Sequence, residues 1–238
     1  MKGIKTEVQT AEILSTQINA DFAKAIKGLP DGYNYISYIR NPSKAYIDTG
    51  FRAEGGMKMA AIVRYLDYPA FGPGSHNSEN DSGNEYNRNM LLLNEDGYIS
   101  FDKCDVFHEI TIKNDGLRHT FFVDNVGLNH ICVIDGYEFR SKQTRSILHP
   151  VNNIIMGMNE YKKTFTTSTE FYYLELWDNS GRLVRNMVSC EHDGIAGMYD
   201  LVEGRFYHSS TDVEFVGGVI VNILLIMLAT SLRKEVAA

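Results

Sequence analysis

The feature that most constrains the fold is a succession of short runs rich in Tyr, Phe, Val, Ile and Thr. They fill the chain from Tyr33 to about Gly217. Glycine, asparagine and aspartate clusters separate the runs, as expected for turns between antiparallel strands. Many short strands at close spacing predict an all-β sandwich or barrel. The longest polar stretch, 72–89, is predicted to be a loop at one end of it.

A helix is predicted before this region, over residues 1–28. Its apolar or small residues recur at spacings of four and three, which places them in a narrow stripe, the seam, along one side of the helix. Gly28 and Pro30 end it, because glycine favours a helix C-terminus and proline cannot continue the helix. Two interpretations stay open: the helix packs on its own domain, or it docks to a partner or another copy. The seam residues expected to serve assembly are Ile4, Val8, Ile18 and Phe22.

The C-terminal segment, 218–238, is nearly all apolar from Val219 to Leu232. It is shorter than the roughly 20 residues that a helix needs to cross a bilayer. We therefore expect burial against the sandwich or against neighbouring subunits, with a short membrane anchor as the alternative. Its candidate assembly residues are Ile223, Leu224 and Leu228. The predicted organisation is a helix (1–28), a β-domain (29–217) and an apolar tail (218–238).

Composition limits the classes of partner. The formal net charge is −7 and no basic run precedes the last residues, which argues against nucleic acid. The three cysteines, Cys104, Cys132 and Cys190, have no CxxC spacing, so free buried thiols are expected. The first residues lack the apolar stretch of a secretory signal, so we expect no export by the general secretory route.

Three phrases carry a resemblance to a known family. They are LPDGYNYISYIRNPSKAYIDTGF (29–51), GLRHTFFVDNVGLNHICVIDGYEF (116–139) and GRLVRNMVSCEHDGIAGMYDLVEGRFY (181–207). In this order they resemble the opening strands, core hairpin and closing phrase of LamG-like, concanavalin A-like modules. The resemblance implies an all-β jelly-roll β-sandwich, here with an N-terminal helix and an apolar C-terminal segment. Such modules occur in structural proteins of phages of gut bacteria and in bacterial surface proteins.

Residues of the first and last phrases form the fold signature that the resemblance highlights. Alternation within AYIDTGF places Tyr46, Asp48 and Gly50 on one face of a strand. In MYDLVEGRFY, the residues from Asp200 to Gly204 predict a hairpin loop. Asp48 and Asp200 are expected to accept backbone N–H bonds and so to act in structure. The aromatic residues expected to pack around the loop are Tyr199, Phe206 and Tyr207.

No catalytic pattern is found in the sequence. Concanavalin-like glucanases carry E-x-D-x-x-E on one strand, whereas Glu175 and Asp178 are separated by an odd number of positions and are expected on opposite faces. The seven histidines form no HxH or HExxH pair. The chain is therefore predicted not to be an enzyme.

The sequence gives only weak indications of two binding sites, one for a sugar and one for calcium. Trp177, the single tryptophan, could stack on a sugar ring, although a place in the core is favoured. The resemblance implies a rim calcium site, for which loop acids would supply oxygen ligands, although solvated acids are favoured. The candidate suppliers are Asp102, Asp105, Asp124 and Asn125. No other cofactor is expected.

The function implied is a structural and adhesive module without enzymatic activity. The first hypothesis is a bacteriophage virion component, located in the virion as a head-decorating, fibre or tail-associated protein. It would assemble as a homo-oligomer with other virion proteins and would bind a glycan or a protein. The alternative is a lectin-like binder on the bacterial surface, held by the C-terminal apolar segment.

Overall fold

The computed structural model describes one helix and nineteen strands. The described residues are 3–54, 56–67, 70–76, 88–93, 98–101, 105–111, 115–127, 131–140, 148–155, 157–158, 164–165 and 169–221. The elements are α1 (Gly3–Lys27), β1 (Asn34–Tyr35), β2 (Ile39–Arg40), β3 (Ile47–Glu54), β4 (Lys58–Tyr65), β5 (Ala70–His76), β6 (Arg88–Leu93), β7 (Tyr98–Phe101), β8 (Asp105–Thr111), β9 (His119–Asp124), β10 (Ile131–Ile134), β11 (Tyr137–Arg140), β12 (Leu148–Ile155), β13 (Gly157–Met158), β14 (Thr164–Phe165), β15 (Thr169–Trp177), β16 (Leu183–His192), β17 (Ile195–Asp200), β18 (Arg205–Tyr207) and β19 (Val216–Gly217).

Two antiparallel sheets make up the body of the protein. The large sheet has the strand order β11-β10-β9-β4-β15-β16-β17-β18, with β1, β2 and β19 paired at its side. The small sheet has the order β3-β12-β5-β6-β7-β8, and β13 and β14 form a separate pair. The two sheets share one hydrophobic cluster, to which β3 contributes Ile47 and β12 contributes Ile155. The predicted all-β sandwich with an N-terminal helix is confirmed.

Alternation along β4 shows that the large sheet is buried on both faces. Met59, Ala61 and Val63 face the cluster shared with the small sheet, whereas Ala60 and Ile62 belong to a second cluster with α1. A strand covered on both faces reads as a continuous apolar run, which matches KMAAIVRY. The molecule therefore has three layers: α1, the large sheet and the small sheet.

The start of the predicted loop 72–89 is wrong, because residues 72–76 belong to β5. The sequence Gly72-Pro73-Gly74 reads as a turn. The register between β5 and β6 shifts between Phe71 and Gly74, however, so this tripeptide lies in a bulge. Proline lacks an N–H and is tolerated in sheets at such irregularities. The strand therefore continues through a sequence that usually ends one.

Tight hairpins join neighbouring strands of the large sheet. Asp135-Gly136 connects β10 to β11 with φ values of 48° and 88°, and Asp193-Gly194 connects β16 to β17 with 51° and 81°. Two consecutive positive φ angles match the twist of antiparallel strands in a two-residue turn. Asp135-Gly136 is thus one of the glycine and aspartate clusters that form turns between the strands, as the sequence predicts.

Residues 220 and 221, at the start of the predicted tail, pair with the β-domain. The Val221 N–H donates to the Tyr35 carbonyl at 3.0 Å, and Ile220 forms an isolated bridge with Ile36. Residues 216–221 therefore run antiparallel to 35–40. Within the described ranges, no helix is long and apolar enough to cross a membrane.

Gly197 in β17 provides a test of this packing. A Cβ atom there would lie 2.3 Å from the Tyr207 carbonyl oxygen and 2.7 Å from the Phe206 ring. We expect Gly197→Ala to lower the free energy of unfolding by about 3 kcal/mol, because the β17–β18 pair must separate. Urea unfolding of the purified chain measures the change.

Gly181→Ala is the matched control. Gly181 has a φ of +82°, but a Cβ atom added there would have no neighbour within 4 Å, so only backbone strain of about 1 kcal/mol is expected. Equal losses in the two variants would show that close packing at Gly197 does not matter.

Candidate functional site

The β17–β18 hairpin is shaped by a buried aspartate. The Asp200 side chain accepts the N–H of Val202 and the N–H of Asn186, each at 2.9 Å, and the residue is 0% exposed. Burial raises the pKa of Asp200, although those two N–H bonds and the Arg185 charge oppose the shift. Asp200 therefore holds both the turn and the adjacent strand β16.

Arg185 joins the two sheets beside this hairpin. It lies on β16, and its Nε and one terminal nitrogen donate to the Thr49 carbonyl of β3 at 2.9 and 2.7 Å. Its other terminal nitrogen lies 2.8 Å from Glu203 Oε1. The guanidinium is planar with fixed donor directions, so it can hold a backbone carbonyl and a carboxylate together.

Glu203 and Tyr207 complete the network on the hairpin. The Tyr207 hydroxyl donates a short hydrogen bond to Glu203 Oε2. Burial, together with the Glu203 carboxylate, raises the pKa of Tyr207 to about 12. The Arg205 guanidinium lies over the Tyr207 ring, 4.8 Å from its centroid. Each polar group of the hairpin is thereby held in one orientation.

Residues 208–210 follow β18 and run along β3, and we call them the strap. The Ser210 N–H donates to the Tyr46 carbonyl at 2.7 Å, and the Asp48 N–H donates to Ser210 Oγ at 3.0 Å. Asp48 Oδ1 in turn accepts the Gly50 N–H at 2.8 Å, and Gly50 has a φ of +65°. These bonds fix an edge of the small sheet opposite the hairpin.

An open groove of about 590 Å³ lies between the hairpin and this strap. Its volume falls in the range of small-molecule sites. The lining residues come from β3, β16, the β17–β18 turn, β18 and the strap: Asp48, Gly50, Arg185, Glu203, Arg205, Phe206, Tyr207, His208, Ser209 and Ser210. The lining therefore combines guanidinium, carboxylate and hydroxyl groups with the aromatic rings of Phe206, Tyr207 and His208.

The structure brings some fold-signature residues into the groove and leaves others outside. Asp48, Gly50, Phe206 and Tyr207 line it, together with residues that the sequence did not single out. Tyr199 instead packs against Tyr33, with ring centroids 4.7 Å apart. Two more lie elsewhere, since Tyr46 is buried and Asp200 lies behind the lining.

Trp177 lies away from the groove. It is partly buried against the cluster between α1 and the large sheet, 6.4 Å from the Phe122 ring. Glu175 and Asp178, excluded as a catalytic pair, have separate partners: Glu175 accepts from Asn186, whereas Asp178 binds Ser180 and Arg182.

Two candidate calcium ligands have side chains that the structure describes, Asp124 and Asn125, and both have structural partners. Asp124 pairs with Lys58 at 3.2 Å, and Asn125 Oδ1 accepts the Met57 N–H at 2.8 Å. Asp102 and the side chain of Asp105 lie outside the described residues. Among the described residues, no group of three His, Cys, Asp or Glu side chains could hold a metal ion.

The structure describes the side chains of two assembly candidates, Ile18 and Phe22, and not those of the others. Ile18 and Phe22 are buried against the chain's own large sheet, which is one of the two interpretations that the sequence left open. The side chains of Ile4 and Val8 lie outside the described residues. So do the tail positions Ile223, Leu224 and Leu228, whose assembly role stays a prediction.

Sequence reasoning missed the charged part of the groove. Arg185, Glu203 and Arg205 belong to the closing phrase, but the contact of Arg185 with Thr49 of β3 joins residues that are distant along the chain. One local signal was present: alternation places Arg185 on the same face of β16 as Met187, which is fully buried. A charged residue on an apolar strand face indicates a specific partner.

Together, the paired sheets and the open polar groove at their edge define an all-β sandwich with a candidate ligand site. No family model matches the chain, and no curated protein matches it. Among solved structures, the chain is similar to the mouse laminin alpha1 chain, domains LG4-5, with a TM-score of 0.40 and 14% identity. The match covers 71% of this chain and 48% of that one, so the chain spans about half its length.

Arg185→Lys tests the contact between the sheets. Lysine keeps the charge but cannot bind the Thr49 carbonyl and Glu203 in the same fixed geometry. We expect a loss of about 2 kcal/mol in the free energy of unfolding, measured by urea denaturation. Arg140→Lys, at the opposite edge of the large sheet and 60% exposed, should change it by less than about 0.5 kcal/mol. A loss no larger than that control would contradict the role of Arg185.

Proposed function

We propose that the chain is a non-enzymatic structural and adhesive module of a bacteriophage virion. It is a head-decorating, fibre or tail-associated component whose sandwich binds a glycan through the groove between β3 and β18. The observation that carries the binding role is the groove itself, a volume of about 590 Å³ lined by polar groups from both sheets.

The way the groove's charged groups are held supports binding without catalysis. Arg185 is committed to Thr49 and Glu203, and Glu203 also accepts from Tyr207. A general acid or base needs a proton that it can exchange with substrate at the working pH. The Tyr207 pKa of about 12 keeps that hydroxyl protonated, which suits a hydrogen-bond donor.

The charge balance of the groove supports an uncharged, hydroxyl-rich ligand. Arg185 and Arg205 are balanced by Asp48 and Glu203 among the lining residues. A polyanion is attracted by excess positive charge. Hydroxyl groups can instead bind to arginine, carboxylate and serine together, while a pyranose face packs on Phe206.

The virion role rests on the three phrases that resemble such modules and on the apolar tail, which suits a chain that is partly covered by neighbouring subunits. The lectin-like surface protein remains the second candidate, because Val219 and Ile220 at the start of the apolar run are 73% and 59% exposed.

Arg205→Ala tests the glycan site. Arg205 is exposed, and its loss removes a charged donor that is expected to bind a sugar hydroxyl. On an array of neutral and acidic glycans, we expect the wild type to bind neutral chains and the variant to bind them about tenfold more weakly. Arg140→Ala, at the far edge of the large sheet, is the control and should bind like the wild type. Preference for acidic glycans, or equal binding by both variants, would contradict the proposed site. Cleavage of any glycan would contradict the non-enzymatic role.

Fractionation of an infected culture tests the virion role. We expect the chain to sediment with purified virions and to dissolve without detergent, because neighbouring virion subunits hold it. Western blotting of virion, membrane and supernatant fractions measures this. Detergent-dependent extraction from the membranes of uninfected cells would favour the surface protein and overturn the virion role.

A further inference from the structure

Helix α1 covers the outer face of the large sheet with a short set of apolar side chains. In its described part, Ile18, Phe22, Ala25 and Ile26 are buried on the sheet. Phe22 packs against Tyr35 and Tyr173, with ring centroids 6.0 and 5.5 Å apart. A polar contact lies nearer the helix N-terminus, where Ser15 Oγ is 2.6 Å from Thr120 Oγ1.

A carboxyl group lies beneath the same helix. Glu175 of β15 is 5% exposed and shares the helix-facing side of its strand with Tyr173. Asn186 Nδ2 donates to Glu175 Oε1 over 3.3 Å, which is a long bond. The neighbouring Tyr173 hydroxyl and Asn186 Oδ1 are buried without a partner of hydrogen-bonding geometry in the described structure. Burial of these polar groups without good hydrogen bonds lowers the stability of the docked state.

The charges that face Glu175 come from the helix and oppose one another. Asp21 disfavours an ionised Glu175, whereas Lys24 favours it. Burial is the largest cause of change and raises the pKa of Glu175 to about 7, while the neighbouring Tyr173 hydroxyl acts in the lowering direction. Glu175 is therefore neutral under the helix at weakly acidic pH and tends to ionise above neutrality.

The connection from α1 to the sheet allows the helix to move. Residues 28–32 are Gly-Leu-Pro-Asp-Gly, four of them exposed, and Gly32 has a φ of +89°. Such a segment can change its backbone angles without loss of a strand pair, because β1 begins only at Asn34. A hinge in this segment would end at Gly32, whose carbonyl lies 3.0 Å from His192 Nδ1.

We propose that α1 is a proton-controlled cover: ionisation of Glu175 releases the helix from the large sheet and exposes the aromatic face beneath it. The exposed face contains Tyr35, Tyr172 and Tyr173 together with the partly buried Phe122 and Trp177. The fold thus carries a cover whose docking on the large sheet depends on pH.

The sign of the effect follows from linkage. In the released state Glu175 is solvated and returns toward its ordinary pKa, so the docked state binds more protons between that value and about 7. Docking therefore weakens as pH rises through this window. Above about pH 7 it weakens no further, because Glu175 is then ionised in both states. The docking equilibrium constant can change by about tenfold for each unit by which the pKa of Glu175 differs between the docked and the released state.

Fluorescence of Trp177, the single tryptophan, measures release in the full-length chain. Trp177 packs against the cluster that α1 covers, so its emission should shift to longer wavelength when the helix leaves. A titration from pH 5 to 9 at constant ionic strength should give a transition that ends near neutrality. Glu175→Gln should abolish it, since the amide does not ionise. Glu214→Gln, an exposed control, should retain it.

A reversible cross-link separates helix release from any other titration. The hydroxyl oxygens of Ser15 and Thr120 are 2.6 Å apart, so cysteines at both positions bring two sulfurs within bonding reach. The oxidised Ser15→Cys/Thr120→Cys protein should show no transition, and a reductant should restore it. A transition that survives Glu175→Gln or the cross-link overturns the proposal. The proposal is also overturned if the wild type shows no transition. It is overturned as well if His119→Gln removes the transition, because His119 is a second buried titrating group and is adjacent to Thr120.

Discussion

The contact between Arg185 and Thr49 holds the two sheets in one arrangement. A guanidinium that is 11% exposed donates twice to a backbone carbonyl of β3 and pairs with Glu203 on the hairpin. Hydrophobic packing between sheets has little directional preference, whereas these bonds fix both distance and angle. The groove depends on this contact, because its two walls belong to different sheets. Ligand binding in this protein would therefore be sensitive to any change that loosens the sheet contact.

Local patterns in the sequence predicted most of the strands, and the reasons are visible in the structure. KMAAIVRY is covered on both faces and is apolar throughout, while Asp135-Gly136 supplies the two positive φ angles of a hairpin. Strand β5 was missed because Gly72-Pro73-Gly74 suggests a turn, although a bulge accommodates it. The charged groove was missed for a different reason: Arg185 and Thr49 are 136 positions apart, and no local pattern reports so distant a pair. The fold was thus more predictable than the candidate site.

The two faces of the large sheet have different chemistry. The face toward the small sheet is formed mainly by aliphatic, methionine and phenylalanine side chains, together with Tyr65 and Tyr207. The face toward α1 combines tyrosines with the buried Glu175 and the Ser15–Thr120 contact. The first arrangement favours a single rigid packing, and the second favours a cover that can be exchanged. The proposed cover and the proposed ligand site would then lie on separate parts of the molecule, the outer face and the groove at the sheet edge.

The buried thiols have a consequence for where such a protein can function. Cys132 and Cys190 are both 0% exposed and free, and burial raises the pKa of each, that of Cys190 to about 12. A thiol must be deprotonated and accessible to react with an oxidant or a disulfide. Neither residue meets these conditions, so the described core keeps the same covalent structure in reducing and oxidising surroundings. A chain that folds in one redox environment and acts in another would need no chemical maturation of this core.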